Sequence, residues 1–432
     1  MSSQQQQQQD EKEEVEDAKL NCIALDSQDP LRHVRERFSI PEGLIYLDGN
    51  SLGPLPRDLS TRMKTVIEQE WGVDLIRGWN TNDWLGLQFS VGNRISALIG
   101  AGDGNVVVCD STSVNLFKAL GAALKLRPDR HVIISERDNF KTDLYIIQGL
   151  IAQLGAGYEL RLVEKDELYS ALNDDVAVVC LTHVNFKHGE LWDMADVTSN
   201  VQMVGALMLW DLAHSAGAVE VDLLGCDVDM AIGCGYKYLN GGPGAPAFMF
   251  VNPRLQDSCQ TPLSGWLGHA KPFEFEQKYQ PMSGIGRFVC GTPNVLSLSA
   301  LNIALDIWTD LDMKAVRQKS IALSELFIKL VESRCASFCH TNTLVLVSPR
   351  TSASRGSQVS FTHSQDGAYA IIQALIARNV IGDFRAPNIM RFGFTPLYLG
   401  FQDVWQAVEH LYEILTTESW NCEEFKQKKK VT

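Results

Sequence analysis

The sequence predicts an α/β protein with a large domain on a mainly parallel sheet and a smaller C-terminal α+β domain. Three observations carry that expectation. Short apolar runs alternate with helical patterns between about residues 50 and 300, each run closes on a turn rich in Gly, Pro or Asp, and beyond Leu301 strands are followed by peripheral helices. At 432 residues, 45% hydrophobic and 21% charged, the chain is long enough for two domains sharing an extensive core.

Residues 1–20 join a glutamine tract to an acidic run, a composition that buries too little apolar surface to offset its ordering entropy, so a disordered tail is expected there. Residues 21–50 read as an N-terminal arm. Within the large domain, 51–300, Val106–Cys109, His131–Ile134, Val176–Leu181, Ala206–Trp210, Val228–Ile232 and Ala247–Val251 read as strands. Val114–Leu126 and Leu144–Leu154 carry apolar residues at helical spacing. In the small domain, 301–420, a long helical pattern leads into strands at Leu344–Val347 and Gln358–Phe361. A helix at Gly367–Arg378, a strand at Ile389–Phe394 and a last helix from about Gln402 to Leu415 follow. A basic tail, 421–432, ends the chain, and no internal repeat is evident.

Charge narrows the partners. A formal net charge of −14 repels phosphate backbones and anionic lipid, so nucleic acid is not expected as a ligand. No apolar run approaches the roughly 18–20 residues of a membrane helix, and the N-terminus lacks the basic-then-apolar order of a signal peptide. A cytoplasmic location is the resulting expectation. The ten cysteines include no C-x-x-C pair, so neither a disulfide framework nor a metal site is expected.

Two segments carry the chemistry. An apolar strand ending in Asp211 delivers a carboxylate to the carboxyl edge of a sheet, where open α/β proteins bind ligands. A second apolar stretch ends in Lys237, bracketed by Tyr236 and the glycine-rich run Gly241–Gly244. Taken singly, these are a strand-end cap and a surface lysine. A buried carboxylate beside a buried amine is costly unless something uses both. Pyridoxal 5′-phosphate uses both, because the lysine condenses with its aldehyde as a Schiff base and the carboxylate keeps its pyridine nitrogen protonated. Asp110–Leu116 runs from a strand end into hydroxyl residues that open a helix, a cradle for a dianion, although Ser and Thr cap helices everywhere. Phe140 precedes another helix, where it either covers a planar ring or packs in the core.

The segments Tyr46–Pro54, Asp110–Leu116, Trp210–Gly217, Gly235–Pro246, Ser264–His269 and Arg391–Tyr398, in that order, resemble the kynureninase family. That family lies in fold type I of the pyridoxal-phosphate enzymes, aspartate-aminotransferase-like, near the class V aminotransferases. The resemblance implies Lys237 as the Schiff-base lysine, Asp211 as the pyridinium partner, His214 beside the cofactor and Phe140 stacked on the ring. It implies Thr112, Ser113, Asp143 and Tyr236 as the rest of the cofactor shell, Tyr236 also being a candidate proton donor. Trp266 and Thr292 resemble parts that reach the phosphate of the neighbouring subunit in a homodimer. Arg391 matches the arginine that clamps the substrate α-carboxylate, a task suited to a forked guanidinium, with Asn50 as a further substrate contact.

The activity so implied is hydrolysis of the Cβ–Cγ bond of L-kynurenine or 3-hydroxy-L-kynurenine to L-alanine and an anthranilate, a step of tryptophan catabolism. Three positions depart from the family's pattern: Lys141 stands where a proline is expected, His188 where a hydroxyl residue is expected, and Asn294 where a second proline is expected. They bear on the choice between the two substrates, and His188 reads as either a shell residue or a satisfied buried histidine. The rival readings are another fold-type-I enzyme, such as a cysteine desulfurase or an aminotransferase, and a non-catalytic binding descendant. A desulfurase needs a mobile cysteine on a loop facing the cofactor, and no cysteine announces itself there; a scaffold has no use for the Lys237–Asp211 pair.

Overall fold

A computed structural model describes residues 3–364 and 367–429. Residues 1–2 of the expected tail and 430–432 of the basic tail lie outside it. The chain divides into two compact units, one of residues 51–186 and 190–313, the other of residues 1–50, 187–189 and 314–432. The arm expected at 21–50 is therefore part of the C-terminal unit, and the boundary falls at 313/314 instead of 300/301. Strands are numbered along the chain: β1 (Ile45–Tyr46), β2 (Val106–Val108), β3 (Val132–Glu136), β4 (Glu159–Val163), β5 (Val176–Thr182), β6 (Leu207–Asp211), β7 (Met230–Cys234), β8 (Ala247–Val251), β9 (Leu344–Leu346), β10 (Gln358–His363), β11 (Val380–Ile381), β12 (Asp383–Arg385) and β13 (Ile389–Gly393).

The larger unit is built on a seven-stranded sheet in the order β2-β8-β7-β6-β5-β3-β4. The β3–β4, β3–β5, β5–β6 and β6–β7 pairs are parallel, and only β8 runs against its neighbours β2 and β7. Strands β2, β3, β5, β6, β7 and β8 are buried along their length, the pattern of a sheet covered on both faces. Val107, Ile133, Val178, Leu209 and Met249 of the sheet belong to one core with Leu116 and Leu120 of the Thr112–Leu126 helix and Ile147 of the Lys141–Leu154 helix. This arrangement collects the carboxyl ends of the parallel strands on one edge, where the chemistry-bearing residues follow.

The other unit carries the antiparallel sheet β12-β13-β10-β9 and the short parallel pair β1-β11. Helices Met313–Arg334, Ala368–Ile376 and Phe401–Thr416 accompany it. Within the stretch expected as a tail, a helix runs from Ser3 to Gln28. Gln, Glu and Lys are good helix formers, and the helix is anchored at its far end, where Cys22 and Asp26 are buried. Asp26 caps the Phe401–Thr416 helix, accepting the Phe401 amide at 2.7 Å and the Gln402 amide at 3.0 Å. Among the described residues no helix is long and apolar enough to cross a membrane.

Candidate active site

Lys237 follows β7, and the loop that presents it is fixed from two sides. Asn240, at φ +59°, donates its amide to the Lys237 carbonyl at 3.0 Å, and the Gly241 amide closes on the Gly235 carbonyl at 2.8 Å. Gly53 lies against the same loop. Its amide donates to the Tyr236 carbonyl at 2.8 Å, and a Cβ there would stand 2.4 Å from the Lys237 carbonyl oxygen. The glycine of the Asn50–Pro54 motif is thus required by close backbone approach. Lys237 Nζ lies 3.0 Å from Nε2 of His214 and 5.7 Å from the centroid of the Tyr236 ring.

Asp211 ends β6, and its Oδ1 accepts the Ala213 amide at 2.8 Å. Asp143, from the first turn of the Lys141–Leu154 helix, is hydrogen-bonded to it, and both carboxyls are buried. Burial pushes both pKa values up. The neighbouring Asp211 raises Asp143 further, while Lys237, the Ala213 amide and the bond from Asp143 pull Asp211 back. Of the two, Asp143 is pushed up further, by its burial and by the Asp211 carboxyl beside it. Thr182, at the end of β5, donates to Asn139 Oδ1 and lies 3.5 Å from Asp143 Oδ2, while Asn139 Nδ2 donates to Ser135 Oγ at 3.0 Å.

The third component is the helix opening after β2. Asp110 turns the chain at φ +50°, and Ser111 caps the Thr112–Leu126 helix by accepting the Val114 amide at 3.4 Å. Lys118, wholly buried, braces this turn by donating to Asp110 Oδ2 at 2.6 Å and to the Phe288 carbonyl at 2.8 Å. Amides and hydroxyls at a helix N-terminus make a seat for an anion. Phe140 is 40% exposed and meets Phe186 edge-on at 5.1 Å, which leaves ring surface available to a ligand.

One cavity of about 270 Å³ brings these parts together. Its walls include Thr112, Ser113, Phe140, Asp143, Asp211, His214, Tyr236 and Lys237, eight sequence-predicted residues in a single place. Sequence reasoning missed Thr182 and Phe186, which also line it. Thr182 has the signal used for Asp211, a polar residue ending an apolar strand, but Phe186 has none. Trp266 and Thr292 do not line the cavity: Trp266 is 40% exposed, edge-on to Phe273, and Thr292 borders a separate small cavity with Asn294. His188 does not line it either, and its carbonyl accepts the Ser348 hydroxyl at 2.6 Å. Lys141 is exposed and donates to the Arg137 carbonyl at 3.0 Å.

Arg391 and Asn50 belong to the other unit. Arg391 is buried on β13 and ion-paired with Asp383, while Asn50 Nδ2 lies 3.4 Å from Gln358 Oε1.

Comparison with known proteins decides the family. The chain is 54% identical over 415 residues to a kynureninase of Burkholderia pseudomallei, covering 95% of this chain and 98% of that protein. The chain belongs to the kynureninase family. A kynureninase of Pseudomonas fluorescens is 52% identical over 417 residues, and residues 316–411 match the model of the kynureninase C-terminal domain. Among solved structures, an apo cysteine desulfurase from Thermococcus onnurineus superposes with a TM-score of 0.74 at 17% identity, covering 89% of this chain and 98% of that one. A C-DES variant with glycine covalently linked to its PLP cofactor gives 0.73 at 16%, covering 88% and 99%. The fold-type-I architecture is thus shared with desulfurases, whereas sequence identity places the chain with the kynureninases. The desulfurase reading loses its remaining ground at the cavity, where the lining cysteine is the buried Cys234, whose thiol burial holds in the protonated form.

Proposed function

We propose that the protein hydrolyses the Cβ–Cγ bond of L-kynurenine, 3-hydroxy-L-kynurenine or both, giving L-alanine and anthranilate or 3-hydroxyanthranilate, with pyridoxal 5′-phosphate as cofactor. The observation that carries this reading is 54% identity over 415 residues to a kynureninase, joined to a cavity that gathers an amine, two buried carboxyls and a hydroxyl-rich helix N-terminus. The donor set suits the cofactor. Lys237 would hold its aldehyde carbon, Asp211 its pyridine nitrogen, Thr112 and Ser113 its phosphate, and Phe140 the face of its ring. When bound, the cofactor supplies an electron sink at the substrate α-carbon.

The protein's residues then have distinct tasks. Lys237, once displaced by substrate, takes the α-proton as general base, and His214 is placed to bond its amine. Asp211 would hold the pyridine nitrogen's proton, Asp143 being the carboxyl of the pair that is pushed up further. Tyr236, whose ring centroid lies 5.7 Å from Lys237 Nζ, would pass a proton when water adds to the γ-carbonyl and the Cβ–Cγ bond breaks. The water oxygen ends in the new carboxylate, and a proton ends on Cβ of alanine. Arg391 holds the α-carboxylate, with Asn50 beside it on the substrate.

The working form is a homodimer in which Trp266 and Thr292 complete the partner's phosphate site. Trp71, Leu75, Ile76, Phe273 and Phe275 are exposed apolar side chains of the kind that association covers. The reaction places the enzyme in tryptophan catabolism, on the kynurenine pathway that feeds NAD biosynthesis, in the cytoplasm. Incubating the holoenzyme separately with L-kynurenine and 3-hydroxy-L-kynurenine should release L-alanine and the matching aromatic acid in equal amounts. Release of neither acid, or sulfur release from L-cysteine in its place, would rule the reading out.

A further inference from the structure

Resting on the reading of Arg391 as carboxylate anchor, we infer that Asp383 is its positioning residue, setting the plane of the guanidinium before substrate arrives. The two residues are direct cross-strand partners on β12 and β13. Arg391 Nε donates to Asp383 Oδ1 at 2.8 Å and Nη2 donates to Oδ2, a two-point contact that fixes rotation as well as position. Arg391 is 1% exposed and Asp383 2%, so solvent does little to weaken the pair.

The neighbours fit this role. Arg385 donates from Nη2 to Asp383 Oδ2 at 2.7 Å, and Asp48 Oδ1 lies 3.9 Å from Arg391 Nη2. The Asp383 carboxylate thus accepts from both guanidiniums, which gives the buried arginine an opposite charge at hydrogen-bond distance. Gly382 lets β12 come this close, since a Cβ there would stand 2.9 Å from the Phe392 ring and 3.1 Å from the Arg391 carbonyl oxygen. An arginine whose only task was packing would need a neutralising charge but no particular orientation. A carboxylate anchor needs both, because its donors must be aimed before the ligand binds.

The experiment compares L-alanine with L-alaninamide, which lacks the carboxylate, by titrating the visible absorbance of the holoenzyme. The wild type should bind L-alanine more tightly. Asp383→Asn keeps the shape and removes the charge. It should lower L-alanine affinity about 10-fold or more, as expected when a positioning contact fails, while affinity for L-alaninamide and for cofactor stays unchanged. Arg391→Lys is the control and should also erase the preference; in its background Asp383→Asn should add little. If Asp383→Asn does not fold, Asp383→Glu, which keeps the charge but moves it by a methylene, should itself reduce the preference. A preference intact in the Asp383 variant but lost in Arg391→Lys overturns the inference and leaves the anchor reading standing. A preference intact in both removes Arg391 from substrate binding, and the inference falls with it.

Discussion

Asp211 and Asp143 are chemically identical groups that their surroundings shift to different extents. Burial pushes both up, but at Asp211 a lysine, an amide and a hydrogen bond with Asp143 pull back, whereas Asp143 is pushed further by the neighbouring carboxyl. Asp211→Asn should therefore retain cofactor but lose on the order of 10²-fold or more in kcat, because a neutral amide cannot hold the pyridinium proton. Asp143→Asn can still donate to Asp211 and should cost far less. Equal losses in steady-state assays would refute the division of labour. A second carboxyl yields a pH prediction. Burial, then Glu190 and Asp138, push Glu136 up from 4.5 to about 7. The folded state therefore holds an extra proton between those values, and the stability it contributes is present at low pH and fades as pH rises towards 7. Melting temperatures measured across that range should fall less steeply for Glu136→Gln than for the wild type; parallel slopes would contradict the assignment. The Lys237 and Asp211 pairing was readable in sequence because strand-end carboxylates and glycine-bracketed lysines leave a local pattern. Asp383 left none, since its importance comes from standing opposite Arg391 in a register that only the folded sheet defines.

At the scale of elements, the alternation of apolar runs and helical patterns located the buried strands of the seven-stranded sheet, because strands covered on both faces read as continuous apolar segments. β4 escaped, as its exposed and half-buried residues break that signal. The Ser3–Gln28 helix escaped because what anchors it, Asp26 capping a helix that begins at Phe401, is distant in sequence. The Tyr46–Pro54 segment was legible as a resemblance, but the reason for its Gly53 was not, for it lies in the contact between Gly53 and the Lys237 loop. Gly53→Ala should displace that loop, lowering stability by about 1–3 kcal/mol, the usual cost of overpacking, and weakening cofactor affinity. Calorimetry together with a cofactor titration checks both effects, and a variant that matches the wild type in each would show that the approach is not tight.

For the whole molecule, membership of the kynureninase family and the geometry of the cavity point to the same residue, Lys237. The proposed dimer makes a claim of its own: mixing inactive Lys237→Ala with an inactive Thr292→Ala/Trp266→Ala variant should restore up to about a quarter of wild-type activity, because half the randomly formed dimers contain one intact site of two. No recovery after subunit exchange would mean that each site is built within one chain. The most direct test remains chemical. Reducing the holoenzyme with borohydride, digesting it and mapping the pyridoxyl group by mass spectrometry should place the label on Lys237, with none in Lys237→Ala and no turnover of L-kynurenine by that variant. A label on any other lysine, or turnover without Lys237, would contradict the account.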